Sequence, residues 1–192
     1  MLLALLLAVS APPPPPAESG PRHHGLFLRL DLGLGYYSSA NRTDSFSGGG
    51  AGFGFSLGGN IGENLALFGS LFDAGGGAGG STPALCPVSG CPITSAGIGG
   101  IGVGLTYYLM PANVFFSGTL ALGALTTTSG GVDSVKRTGL LARVGAGKEW
   151  FISESWGLGV AGYLLFGSNK DDAGASAWTT VSPLLAFSAT FY

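Results

Sequence analysis

The side chains able to do chemistry are few, and most stand apart from one another. Histidine occurs only at His23 and His24, ahead of every patterned segment. A Ser–His–acid nucleophile needs its base beside the serine, so that chemistry lacks its central member. Asp171 and Asp172 are adjacent carboxylates in a polar stretch and read as solvated surface rather than an acid–base pair. The glycine runs Gly48–Gly50 and Gly75–Gly80 lack the Gly-Lys-Ser/Thr ending that would cradle a phosphate. Cys86 and Cys91 are the only cysteines. Without clustered histidines their spacing is poor for a metal, and in an exported chain it reads as one small disulfide. No cofactor is expected. Five charges remain inside otherwise apolar, alternating segments: Arg29, Asp31, Arg143, Lys148 and Glu149. Four of them, Arg29, Asp31, Arg143 and Glu149, sum to zero. Buried charges must be paired, so these four are expected to form an internal ion-pair network.

The elements that would hold such a network follow from composition and period. Of 192 residues, 36 are glycine, 46% are hydrophobic and only 9% are charged, with a net charge of −2; mean hydropathy is +0.44. Disordered chains are polar and charged, collagen repeats glycine every third residue, and nucleic-acid binders are basic; all three classes are excluded, and no nucleic-acid partner is expected. In 26–38, Leu26, Leu28, Leu30, Leu32, Leu34 and Tyr36 fall on one face, and Phe27, Arg29, Asp31, Gly33 and Gly35 on the other. That is the period of a strand. The segment 95–117 is nearly uncharged, but glycine at 97, 99, 100, 102 and 104 argues against a spanning helix at about 1 kcal/mol each.

Period-two runs occur at about 26–38, 51–61, 65–72, 96–109, 114–126, 138–151, 156–168 and 178–192, with the third open to extension toward Gly75–Gly80. Tight turns at 62–64, 110–113 and 152–155 alternate with longer loops at 39–50, 73–95, 127–137 and 169–177. This layout places Asp73, Lys136, Arg137 and Lys170 in loops. An apolar outward face, a small or charged inward face, and short turns opposite long loops describe an all-β, eight-stranded antiparallel up-and-down transmembrane β-barrel. Trp150, Trp156 and Tyr107, with Tyr36, Tyr37, Tyr108, Phe115 and Phe116, lie near strand ends, where barrels carry aromatic girdles. Lys148 points outward beside a turn, within snorkelling reach of the interface. An eight-stranded barrel has room inside for side chains and little else, and inward glycines such as Gly54, Gly104, Gly145 and Gly159 let large neighbours fold across it.

The first residues carry an address. The apolar run 2–9 is too short to span a bilayer and suits a signal peptide over 1–11, without a basic leading segment. Residues 12–24, with Pro12–Pro16, read as a proline-rich periplasmic spacer, which leaves the barrel over 25–192 with both termini periplasmic.

The layout of 25–192, and the hairpin pattern of residues 145–160, resemble the small Gram-negative outer-membrane barrels of the OmpX and OmpA type. The resemblance implies a bacterial outer-membrane location, contact with outer-membrane lipids including lipopolysaccharide, and delivery by the barrel assembly machinery. That machinery would read a last strand with alternating apolar residues and a final aromatic, here Phe187, Phe191 and Tyr192. Tyr192 lies out of register with Leu185, Phe187 and Phe191, so either Phe191 is the anchor or Tyr192 flares. The expected role is non-enzymatic: structural support or adhesion-like surface interaction through four extracellular loops, with a surface partner that the sequence does not name. The alternatives are a narrow passive channel or a carrier of small hydrophobic ligands; a soluble lipocalin-like barrel and a lipid-modifying enzyme rank below these.

Overall fold

A computed structural model describes residues 25–42, 45–77, 93–129, 132–170 and 177–192. It forms a closed barrel of eight strands: β1 (Leu26–Ala40), β2 (Ser45–Gly62), β3 (Leu65–Gly77), β4 (Ile93–Leu109), β5 (Val114–Ser129), β6 (Val132–Phe151), β7 (Trp156–Lys170) and β8 (Ala177–Phe191). Each strand pairs antiparallel with its sequence neighbour, and β1 closes on β8, with Leu30 opposite Ala189 and Leu34 opposite Leu185. Closure leaves no unpaired edge.

The strands begin and end where the alternation predicts at the tight-turn end. They run further at the other end. β2 starts at Ser45 rather than 51, β3 extends to Gly77, and β6 starts at Val132 rather than 138. Two of the four expected long loops therefore shrink to residues 41–44 and 130–131, as short as the turns opposite. Asp73, Lys136, Arg137 and Lys170 lie in strands rather than loops. Glycine disfavours strands as a rule, which is why Gly48–Gly50 and Gly75–Gly77 read as loop. Here Gly50 pairs with Gly76, and Ala51 with Gly75. The Tyr37 hydroxyl lies over this ribbon and donates toward the carbonyls of Gly76 and Gly77 at 3.0 and 2.8 Å. A Cβ at Gly48 would run into the Gly77 carbonyl, so the small residues permit the pairing.

The two faces separate as the period requires. Leu32, Leu34, Leu122 and Leu185 are each more than 60% exposed on the outer wall, in a band that runs around the barrel. Trp150, Trp156 and Tyr107 face outward at the tight-turn end, together with Phe116 and Phe191. The Trp156 and Phe191 rings meet edge to face at 5.4 Å. Tyr37, Tyr108 and Phe115 do not belong to this girdle: they point into the lumen. Neighbouring residues in a strand face opposite ways, so each of the pairs Tyr36–Tyr37, Tyr107–Tyr108 and Phe115–Phe116 sends one ring to each side. Tyr192 does not flare either. It is buried inside, while Phe187 lies on the outer wall. Lys148 reaches the carbonyl of Ala112 at 2.7 Å and lies over the Trp150 ring.

Candidate functional site

The lumen is filled in layers. At the tight-turn end, Phe27, Phe68, Tyr108, Phe115 and Tyr192 pack as one aromatic cluster. At the opposite end Tyr37, Phe46, Phe72, Ile98, Leu141 and Trp178 form a second. One pair of charges lies within the first cluster and one between the two. Arg29 of β1 reaches Glu149 of β6 at 2.8 Å, and Arg143 of β6 reaches Asp31 of β1 at 3.1 Å. The four residues named from the sequence are thus brought together as two crossed pairs between the same two strands. Their strands do not adjoin; the side chains meet across the interior.

Each charge is further occupied. Arg29 Nη2 donates to the Tyr108 hydroxyl at 2.5 Å, and Nε donates to Thr190 Oγ1 at 3.1 Å. Its guanidinium lies 3.9 Å from the centroid of the Phe115 ring, an orientation that uses the ring's negative face. Glu149 accepts from Thr190 at 2.7 Å, from Tyr108 at 3.3 Å and from the Tyr192 hydroxyl. Asp31 accepts from the Tyr163 hydroxyl at 3.0 Å, and Arg143 lies 3.6 Å over that same ring. Glu149 is set in place by the turn that precedes β5. Asn113 adopts a positive φ of 50°, which asparagine tolerates, and its carbonyl accepts the Glu149 N–H at 3.1 Å.

Glycine makes this crowding feasible. A Cβ on Gly54 would lie 2.7 Å from Arg143 Nη1, and one on Gly159 would lie 2.6 Å from Glu149 Cγ. One cavity between the ion pairs, lined by Arg29, Asp31, Ser56, Thr119, Arg143 and Tyr163, holds about 10 Å³. A second, between Phe72, Arg143, Tyr163 and Leu165, is the same size. Each has space for about one water centre. Both carboxylates of the network are engaged by an arginine and by hydroxyls, an arrangement that holds structure and leaves no free acid or base.

Several features escape sequence reasoning. Arg137 is buried in β6 with its guanidinium 5.2 Å from the Trp178 ring centroid. Its odd number, shared with Arg143 and Glu149, is the signal that could have placed it inward. Asp73 faces outward from β3, in phase with Leu67 and Leu71. Gly54-Phe55-Ser56-Leu57-Gly58 has the spacing of a nucleophile elbow. The structure places it inside β2 rather than at a strand-to-helix turn, with the Ser56 hydroxyl buried and bonded to Ser70 Oγ at 3.1 Å. The proposed Cys86–Cys91 bridge, His23, His24, Asp171 and Asp172 lie outside the described residues.

Neither a protein-family model nor a curated protein sequence matches the chain. Solved structures do. Neisserial surface protein A superposes with a TM-score of 0.60 at 15% identity, over 87% of this chain and 96% of that one. Ail, the attachment invasion locus protein of Yersinia pestis, solved with the heparin analogue sucrose octasulfate, gives 0.50 at 13% identity over 87% and 99%. The outer membrane protein AlkL, solved in DMPC bilayers, gives 0.50 at 12% identity over 94% and 96%. At these identities the likeness is one of fold: the chain has the architecture of small eight-stranded outer-membrane barrels, as its resemblance to the OmpX and OmpA type implies.

Proposed function

We propose that this protein is an integral barrel of the bacterial outer membrane, without enzymatic activity, that presents the connections at one end of the barrel to the outside as a surface for structural support or adhesion-like contact. The observation that carries the reading is the inversion of faces. The outer wall is a broad apolar band, and Arg29, Asp31, Arg143 and Glu149 are turned inward and paired. A water-soluble barrel would need the reverse. The packed lumen supports a plugged scaffold over a channel. Ail, described as an attachment protein, illustrates that such a barrel can carry a binding surface.

On this reading residues 1–11 are an export signal, 12–24 a periplasmic spacer, and Cys86–Cys91 a disulfide in the connection between β3 and β4. Lipopolysaccharide surrounds the outer half, and the barrel assembly machinery inserts the chain. Boiled and unboiled outer-membrane fractions compared on an SDS gel test the location, because a closed barrel resists unzipping until heated. A heat-dependent shift in that fraction is expected. Recovery in the soluble fraction without a shift would overturn the membrane reading. In planar bilayers the protein should be silent; steady single-channel currents would replace scaffold with pore.

A further inference from the structure

One charged side chain on the outer wall stands apart from the lumen network. Asp73 is exposed on β3, and no partner among the described residues reaches its carboxylate. It lies at the head of a groove of about 920 Å³ in the wall over β3 to β6. The floor is nearly bare backbone: Gly97, Gly99 and Gly100 of β4, and Gly123 and Ala124 of β5. The flanks are Leu71, Ile101 and Leu122, all outward and apolar. Gly99 is opposite Asp73 in the ladder, and a Cβ there would lie 2.7 Å from the Asp73 Oδ2. The carboxylate thus leans over the groove and needs the glycine to do so. Behind the floor, Leu141 is fully buried and seals the lumen, so the groove is a recess and not a passage.

Ionisable groups beside hydrocarbon are costly unless something pairs with them. The groove offers a mostly apolar trough, with one negative charge on its β3 side and Thr126 and Thr138 on its β5–β6 side. We propose that it binds a single-chain amphiphile with an ammonium head, the alkyl chain lying over Gly97, Gly99 and Gly123 and the ammonium against Asp73. The site rests on the membrane reading given above.

The test uses the barrel in phosphatidylcholine nanodiscs, with dodecylamine, dodecanol and dodecyl phosphate each carrying a nitroxide near the chain end. The readout is the broadening of assigned glycine amide signals. The amine probe should saturably broaden Gly97, Gly99 and Gly123 while sparing Gly33 of β1, across the barrel. Asp73→Asn should reduce the preference for amine over alcohol by about fivefold, the scale of a partly exposed ion pair. Gly97→Leu, whose Cβ meets only the Ala74 carbonyl at an ordinary 3.9 Å, should fill the trough and abolish broadening by every probe. Uniform broadening around the belt, equal binding of the alcohol, or preference for the phosphate would overturn the proposal, as would occlusion of the groove by a second labelled barrel. Failure of the protein and both variants to enter nanodiscs or to show a heat-dependent mobility shift would strike the membrane reading. Normal insertion without groove-specific broadening would strike this site alone.

Discussion

Glu149 is heavily committed in the lumen, accepting from Arg29, Thr190, Tyr108 and Tyr192. Removing one partner of a buried pair leaves the other charge stranded, at a cost of about 3–5 kcal/mol. Arg29→Met should therefore lower the urea midpoint of the vesicle-embedded barrel strongly, read by loss of the fast-migrating unboiled band. The double variant Arg29→Met/Glu149→Leu should recover most of that loss, because an apolar pair of similar volume needs no compensation; if it is as unstable as the single variant, the pair contributes more than mutual neutralisation. Which residues carry the network was legible from parity alone, since an inward arginine in an apolar strand must find an inward acid. Their hydroxyl partners were not. Tyr108, Tyr163 and Thr190 share inward parity with many residues that take no part in the network, such as Ala161, Leu165 and Ala186, and only the stagger of the closed barrel sets which of them stand at the height of the charges.

At the scale of the strand, period two defines which way a side chain points but not where pairing stops. Glycine-rich ends read as loop because glycine gives a strand no side-chain packing, yet Gly50 still pairs with Gly76, and Gly48 and Gly49 with β1, beside Tyr37. Amides in both runs that donate within the ladder should exchange slowly with solvent, and Tyr37→Phe should speed exchange at Gly76 and Gly77 without altering β1. Exchange as fast as in the connecting segments of the wild-type protein would mean that the ribbon is not formed. The apolar band makes a second element-scale demand. Leu120, 62% exposed and opposite Val103 and Ala142, lies well away from both strand ends. Leu120→Arg should cost about 2–4 kcal/mol in a bilayer, against about 0–1 kcal/mol for an arginine near the strand end at Ser38. Equal costs at the two depths in a denaturant titration from vesicles would argue against a hydrocarbon belt at this height.

For the whole molecule, closure and neutralisation are one event. Arg29 and Glu149 are 120 residues apart in the chain, and Asp31 and Arg143 are 112 apart. No hairpin or local cluster can satisfy either pair. A partly assembled sheet of early strands holds Arg29 and Asp31 without the β6 partners and hydroxyls they take in the barrel, and a sheet of late strands holds Arg143 and Glu149 without their β1 partners. The hydrocarbon interior gives such fragments no water to substitute for the missing partner. Halfway structures are therefore disfavoured twice, by open edges and by stranded charge, and contacts this distant in sequence are slow to form. The crossed ion pairs act in time as well as in space. They make insertion a late, collective step in which the first strand waits for the sixth, and refolding into vesicles should pass from unfolded to heat-resistant barrel without a populated, half-resistant form.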